Sequence, residues 1–245
     1  MKNKLNIFIF SLVFILFISY NICPNALTIH NENDNTESEE KIVYLTFDDG
    51  PGGKTTLKIL DTLKEENVPA TFFIIGEQIQ GQENTILRMK NEGHSIGLHS
   101  FSHEKAKLYR GNEGFLKEML EDQESLYKVT GEKYHILRFP FGCNNNTYKL
   151  NQSMIDLLHE NNLRVYDWNT DSGDGANPNS SPETIIKKAC SNKNQNKVIL
   201  LMHCSYMHKN SAKALPNIIK YYKSEGYKFK AIDENTPELY KIMKK

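Results

Sequence analysis

The sequence predicts an α/β fold, an irregular and incompletely closed (β/α)7 barrel of parallel strands, on three observations. From Ile42 onward, seven short apolar runs alternate with segments of helical period, and such alternation implies parallel strands joined by right-handed crossovers. The chemically unusual side chains fall after several different strands: Asp48 and Asp49 after the first, His99 after the third, Arg138 at the end of the fourth, Asp171 and Asp174 after the fifth, His203 after the sixth. A barrel gathers such groups at the carboxyl ends of many strands, whereas an open doubly wound sheet draws on one crevice. With 245 residues, 39% hydrophobic and 10% aromatic, the chain has material for one sizeable core.

The chain starts with Lys2 and Lys4 ahead of an apolar run from Leu5 to about Ile22. At roughly 18 residues, that run fits either a signal peptide or an uncleaved N-terminal membrane anchor, so residues 1–26 are assigned to export and the remainder to an extracytoplasmic location. The polar, acidic residues 27–40 bury nothing and read as a flexible stalk. Residues 41–245 are expected to form one folded domain.

Strands are predicted for Ile42 to Phe47, Ala70 to Ile75, Ser95 to Leu98, Ile136 to Phe139, Arg164 to Trp168, Lys197 to Met202 and Lys228 to Ile232, all short runs rich in β-branched or apolar residues. Helices are predicted for Thr55 to Glu66, with Leu57, Leu60 and Leu63 on one face, and for Asn84 to Asn91, Asn112 to Val129, Leu150 to Glu160, Pro182 to Cys190 and Ala212 to Ser224. Ser181 before Pro182 gives the favoured cap-then-proline start, Asn84 reads as a second cap, and Gly93, Gly131 and Gly226 follow three helix ends.

Thirty basic and thirty acidic side chains cancel, which argues against a nucleic-acid partner and leaves membrane contact to the N-terminal segment alone. A monomer is expected. Of the four cysteines, Cys23 lies in the export segment, and Cys143, Cys190 and Cys204 read as buried small residues with room for one disulfide.

Four stretches could carry chemistry. Asp48-Asp49-Gly50-Pro51 ends a buried strand on two adjacent carboxylates, although the same residues also make an ordinary turn. His99 and His103 are four apart, which on a helical turn puts both imidazoles within reach of one metal ion; two surface histidines at a helix start would show the same spacing. Arg138 in Arg138-Phe139-Pro140-Phe141-Gly142 is a permanent cation at a strand end, suited either to orienting a carboxylate or to a structural ion pair. His203 closes the apolar run Leu200-Leu201-Met202 and reads as a proton carrier, oriented by a carboxylate such as Asp174, or as a satisfied core histidine.

Taken together, these stretches resemble the polysaccharide deacetylase (NodB-homology) family, carbohydrate esterase family four, over about Lys41 to Asp233. Thr46-Phe47-Asp48-Asp49-Gly50, His99-Ser100-Phe101-Ser102-His103, Arg138-Phe139-Pro140-Phe141-Gly142 and Leu201-Met202-His203 match four family motifs in order. The resemblance implies Asp48 as catalytic base, Asp49, His99 and His103 as metal ligands, and Arg138 as the residue orienting the base. It further implies the Phe141 amide as an oxyanion donor, Leu201 as a wall of the acetyl pocket, His203 as general acid and Asp174 as its partner. A fifth motif departs from the pattern: Asp171-Ser172-Gly173-Asp174-Gly175 has Gly where the family's Asp-x-x-Asp-Trp carries Trp, so an aromatic wall is missing and Trp168, the single Trp, is the candidate to replace it. Cys143 and Cys204, each beside a motif, become candidates for a disulfide across the mouth.

The implied reaction is metal-dependent hydrolysis of N-acetyl groups on a polysaccharide. Zinc is the first choice for two His and one Asp, with cobalt, nickel, manganese or iron as alternatives. N-acetylglucosamine of peptidoglycan leads as substrate; N-acetylmuramic acid, chitin oligomers, an exopolysaccharide and acetylxylan are the alternatives. From other classes, a non-catalytic glycan-binding domain and a two-His-one-carboxylate iron oxygenase compete.

Overall fold

The computed structural model of the protein describes residues 40–191 and 195–243, so the expectations for 1–26, for Cys23 and for all of the stalk but Glu40 lie outside the described residues. In chain order the elements are β1 (Ile42–Gly50), α1 (Lys54–Glu65), β2 (Thr71–Ile74), α2 (Glu83–Asn91), β3 (Ser95–Leu98), α3 (Lys105–Leu108), α4 (Asn112–Thr130) and β4 (Ile136–Leu137). They continue with α5 (Gln152–Glu160), β5 (Arg164–Val165), β6 (Thr170–Asp171), α6 (Pro182–Ala189), β7 (Lys197–His203), α7 (Lys209–Ser224) and β8 (Lys228–Phe229). No helix among the described residues is long and apolar enough to cross a membrane.

Every strand pairing is parallel, in the order β5-β4-β3-β2-β1-β7-β6, with β8 joined to the first residues of β1. The sheet is therefore the curled, open barrel that the alternation predicts. Its ends, β5 and β6, share no ladder among the described residues. Leu239 stands beside β5 at this opening, donating its N–H to Val165 and accepting from the Asp167 N–H.

Side-chain alternation along β1 separates two environments. Val43, Leu45 and Phe47 pack in the large core between sheet and helices, while Ile42 and Tyr44 belong to a smaller interior cluster with Phe73, Ile136, Tyr166, Ile199 and Ile232. Thr46 and Asp48 continue that interior face, and β7 repeats the pattern, with Val198, Leu200 and Met202 toward the helices and Ile199, Leu201 and His203 on the alternate face. The interior is thus apolar at the amino ends of the strands and polar at the carboxyl ends.

Several local expectations need correction. The predicted strand Arg164 to Trp168 stops at Val165, because the next backbone groups turn to Leu239, and a separate strand, β6, pairs with β7. Leu57 is exposed; the buried face of α1 is Thr55, Thr56, Ile59, Leu60 and Leu63, the true 3.6-residue stripe. Asn84 lies inside α2 rather than capping it, whereas the Ser181 hydroxyl does accept from the Thr184 N–H ahead of α6. Helix α7 begins at Lys209, because its polar first turn carries no apolar signal.

Candidate active site

Arg138 is fully buried in the barrel interior and organises one side of the mouth. Its Nη1 donates to Thr46 Oγ1 at 2.6 Å and to Asp48 Oδ1 at 2.9 Å, while Nε and Nη2 donate to the carbonyls of Tyr166 and Asp167. The guanidinium lies 4.4 Å from the Phe73 ring centroid and 5.7 Å from that of Trp168. A buried cation with so many partners has one orientation, and it fixes the Asp48 carboxylate with it.

Asp49, His99 and His103 converge beside Asp48. Asp49 Oδ1 stands 3.4 Å from the Nε2 atoms of both histidines, and one potential ligand atom from each residue lies within 4.8 Å of the others. The histidines meet without a helix: His99 follows β3, Ser100 has φ 74° and His103 has φ 58°, so a tight left-handed loop does what the sequence reading ascribed to a helical turn. His99 Nδ1 lies 3.0 Å from the Arg138 carbonyl oxygen, which can only accept; Nδ1 therefore carries the hydrogen and the Nε2 lone pair faces Asp49.

Electrostatics suit this trio to a cation. Burial alone would raise the Asp49 carboxyl, but the neighbouring imidazoles of His99, His203 and His103 hold it well below the usual carboxylate range. Burial, reinforced by His99, pushes the His103 imidazole down to about 4, so it stays neutral with a free lone pair. Asp49 Oδ1 is buried without a hydrogen-bond partner. An ionised oxygen facing two imidazole nitrogens, with no protein donor, is a donor set that fits one divalent ion.

The opposite side of the mouth is a hydrogen-bonded pair. His203 is the ladder partner of Asp48 across β1 and β7, and its Nδ1 lies 2.8 Å from Asp174 Oδ1. Asp174 Oδ2 accepts from the His203 N–H at 2.9 Å and from Ser211 Oγ at 2.6 Å. Burial works against charge on His203, but the Asp174 hydrogen bond and the charges of Asp174, Asp48 and Asp49 outweigh it and raise the imidazole to about 9. On Asp174 the same contact prevails over burial and lowers the carboxyl.

Between the two sides lies a cavity of about 300 Å³ lined by Asp48, Asp49, His99, His103, Phe141, Trp168, Leu201 and His203 among others. All ten residues singled out from the sequence thus lie at one site, eight on its wall, with Arg138 and Asp174 hidden behind Asp48 and His203. Phe141 is exposed at the rim, with φ 66° and its ring 4.6 Å from that of His103. The proposed disulfide is absent: Cys143, Cys190 and Cys204 are free. Cys143 Sγ is hydrogen-bonded to Asp167, and Cys204 turns into the core and bonds the Asp48 carbonyl instead.

Sequence reasoning missed the residues that support the loop. Asp122 on α4 accepts from the His99 N–H at 2.9 Å, and Glu118, one turn earlier, accepts from both the Ser102 N–H and its hydroxyl. The available signal was two buried carboxylates, four apart, on the face of α4 that carries Phe115 and Met119. His208, five residues after His203 and on the cavity wall, was also passed over.

An open parallel barrel whose mouth joins a two-His-one-Asp cluster to an oriented carboxylate and a His-Asp pair defines a hydrolase class, and comparison with known proteins supports it. The profile of the family described as Polysaccharide deacetylase matches residues 35–164. A peptidoglycan-N-acetylglucosamine deacetylase of Bacillus cereus is 36% identical over 202 residues, 81% of this chain and 71% of that protein. The Listeria monocytogenes peptidoglycan-N-acetylglucosamine deacetylase PgdA is 32% identical over 79% of this chain, which spans only 38% of its length. The crystal structure of a polysaccharide deacetylase from Bacillus cereus superposes with a TM-score of 0.73 at 35% identity, covering 81% of this chain and 95% of that one. The chain belongs to the polysaccharide deacetylase family and is a hydrolase of acetylated glycans.

Proposed function

We propose that the protein removes N-acetyl groups from the glucosamine residues of peptidoglycan, outside the cytoplasmic membrane, releasing acetate and leaving free amines on the glycan. The observation that carries this reading is the buried, unpartnered Asp49 Oδ1 facing two imidazoles between an oriented carboxylate and a His-Asp pair. The substrate follows the names of the B. cereus and L. monocytogenes relatives, both peptidoglycan-N-acetylglucosamine deacetylases. Residues 1–26 carry the protein to the cell wall, as a leader or an anchor.

Asp49, His99 and His103 would hold one divalent ion, zinc by preference for the mixed N/O set, which when bound would supply Lewis acidity toward the acetyl carbonyl and a water. Asp48, aligned by Arg138, takes the proton of the attacking water as its oxygen adds to the carbonyl carbon. The Phe141 N–H is the candidate donor to the developing oxyanion, a contribution of about 3 kcal/mol for a well-placed donor. Leu201 and Trp168 line the cavity and are the apolar surface available to the acetyl methyl. An amine leaves poorly unless protonated, so His203, held cationic by Asp174, delivers its proton to nitrogen as the C–N bond breaks.

The test is incubation with purified peptidoglycan, chitin oligomers and acetylxylan, with and without chelator, measuring acetate and new amines. Acetate and amines in equal amounts from peptidoglycan, abolished by chelator and restored by zinc, are expected. Release from acetylxylan alone, or chelator-insensitive turnover, would overturn the assignment.

A further inference from the structure

The His203 ring has two close neighbours besides Asp174. One is Gly175, the residue at which the fifth motif departs from the family pattern. A Cβ at 175 would lie 2.4 Å from His203 Cε1, 2.9 Å from Nε2 and 3.1 Å from Nδ1, so the imidazole occupies the space any larger residue would need. The other is His208, whose ring stacks on that of His203 with centroids 4.9 Å apart and planes inclined by 24°.

His208 is only 3% exposed. Its Nδ1 is 2.7 Å from Ser205 Oγ, and its backbone N–H and carbonyl tie it to Ser205 and to the start of α7. Its Nε2 is buried without a partner, so hydrogen bonding accounts for only one of the two ring nitrogens. The ring's flat face against His203 is its other contribution. The second torsion of a histidine is soft and broadly two-fold, and one hydrogen bond at Nδ1 pins a single point of the ring while leaving its plane free to rock. A flat ring stacked on the imidazole restrains that plane.

We propose that Gly175 and His208 are positioning residues that form a slot for the His203 imidazole, fixing its plane so that Nε2 meets the leaving nitrogen. The proposal rests on His203 being the acid, and it explains the motif departure: where the family pattern has Trp, this chain has an empty position into which the His203 ring fits.

The experiment compares kcat and KM for an N-acetylated chitin oligomer and for an activated acetyl ester, whose leaving group needs no proton, in His208→Ala, His208→Phe and Gly175→Ala. Each variant is first checked by thermal unfolding. A slightly misplaced acid costs about tenfold to a hundredfold. The amide kcat should fall by that factor in His208→Ala and Gly175→Ala with KM little changed, while the ester rate changes by less than about threefold. His208→Phe, which restores the ring without its nitrogens, should recover most of the amide rate. The proposal fails if His208→Ala keeps the amide kcat within about twofold of wild type, if His208→Phe is as impaired as Ala, or if ester and amide fall together. Failure of the underlying reading shows separately, as equal amide and ester losses in His203→Ala. A crystal structure of Gly175→Ala with the His203 ring unmoved would count against the slot whatever role the ring has.

Discussion

On the side of the mouth formed by β1 and β3, Asp49 Oδ1 is buried without a partner, and the backbone is left-handed at Asp49, Ser100 and His103. On the side formed by β7 and α7, both Asp174 oxygens are hydrogen-bonded, and neither Asp174 nor His203 has a positive φ. Six non-glycine residues among those described have positive φ. Two, Asn67 and Asn162, follow helices and are of the type that tolerates it; the other four, Asp49, Ser100, His103 and Phe141, all belong to the mouth. The contrast is between an Asp174–His203 pair whose carboxylate is completed by protein hydrogen bonds and an Asp49 oxygen that no protein donor satisfies, in a strained stretch of backbone that fits a bound cation.

The largest effects should come from the unsatisfied wall. His103→Ala should lose both bound metal and activity, and it should also lose the stabilisation that metal gives the wild type, about 2.7 kcal/mol when free metal is a hundredfold above its Kd. Metal analysis and melting with and without zinc check this; a variant that still melts higher with zinc would show that the cation is held elsewhere. Asp48→Asn should cut turnover by about a hundredfold to ten-thousandfold and leave metal content near one per chain, because the proposed mechanism makes Asp48 the base and not a ligand. Substantial residual activity would remove Asp48 from that role.

Much of this contrast was legible in the sequence, for a physical reason. Asp48, Arg138 and His203 are each charged or titratable residues beside an apolar run, so the conflict between run and residue marks the strand end that faces the mouth. The six helices of eight residues or more and the strands β1, β2, β3 and β7 were legible from periodicity and length. What was not legible depends on tertiary geometry. The left-handed path from His99 to His103 rests on carboxylates of α4, Glu118 and Asp122, which lie 16 and 23 residues from their partners in the chain. Strands β4, β5, β6 and β8 are only two residues each, and their limits are set by the backbone groups of neighbours such as Leu239. Gly175 reads as a defect in a motif until the ring that occupies its space is seen.

The satisfied wall should show a more selective response. His203→Ala should reduce amide hydrolysis about a hundredfold and affect an activated acetyl ester far less, since only the amine leaving group needs a proton. Equal losses would tell against the acid role. The pH profile gives a smaller and graded effect. His203 is raised from 6.5 to about 9, so its proton is held more tightly in the folded protein. The stability linked to that pair is complete below pH 6.5 and is lost as pH rises through about 9. Amide turnover should fall over the same alkaline limb, and Asp174→Asn should move the limb toward lower pH. An unmoved limb would assign it to another group.

The smallest effect sharpens the comparison most. Ser211 Oγ donates to Asp174 Oδ2 at 2.6 Å, the same oxygen that accepts the His203 N–H at 2.9 Å. Ser211→Ala removes one donor from a buried carboxylate but leaves the Oδ1 contact to His203 Nδ1 intact. Stability should drop by about 1–3 kcal/mol, the cost of a lost hydrogen bond to a buried charged group, while amide turnover falls only a few-fold. Melting temperature and kcat measured on one preparation separate the two. If turnover instead collapsed with little change in melting, Asp174 would depend on Ser211 for its orientation, and this wall would be as precarious as the one across the mouth.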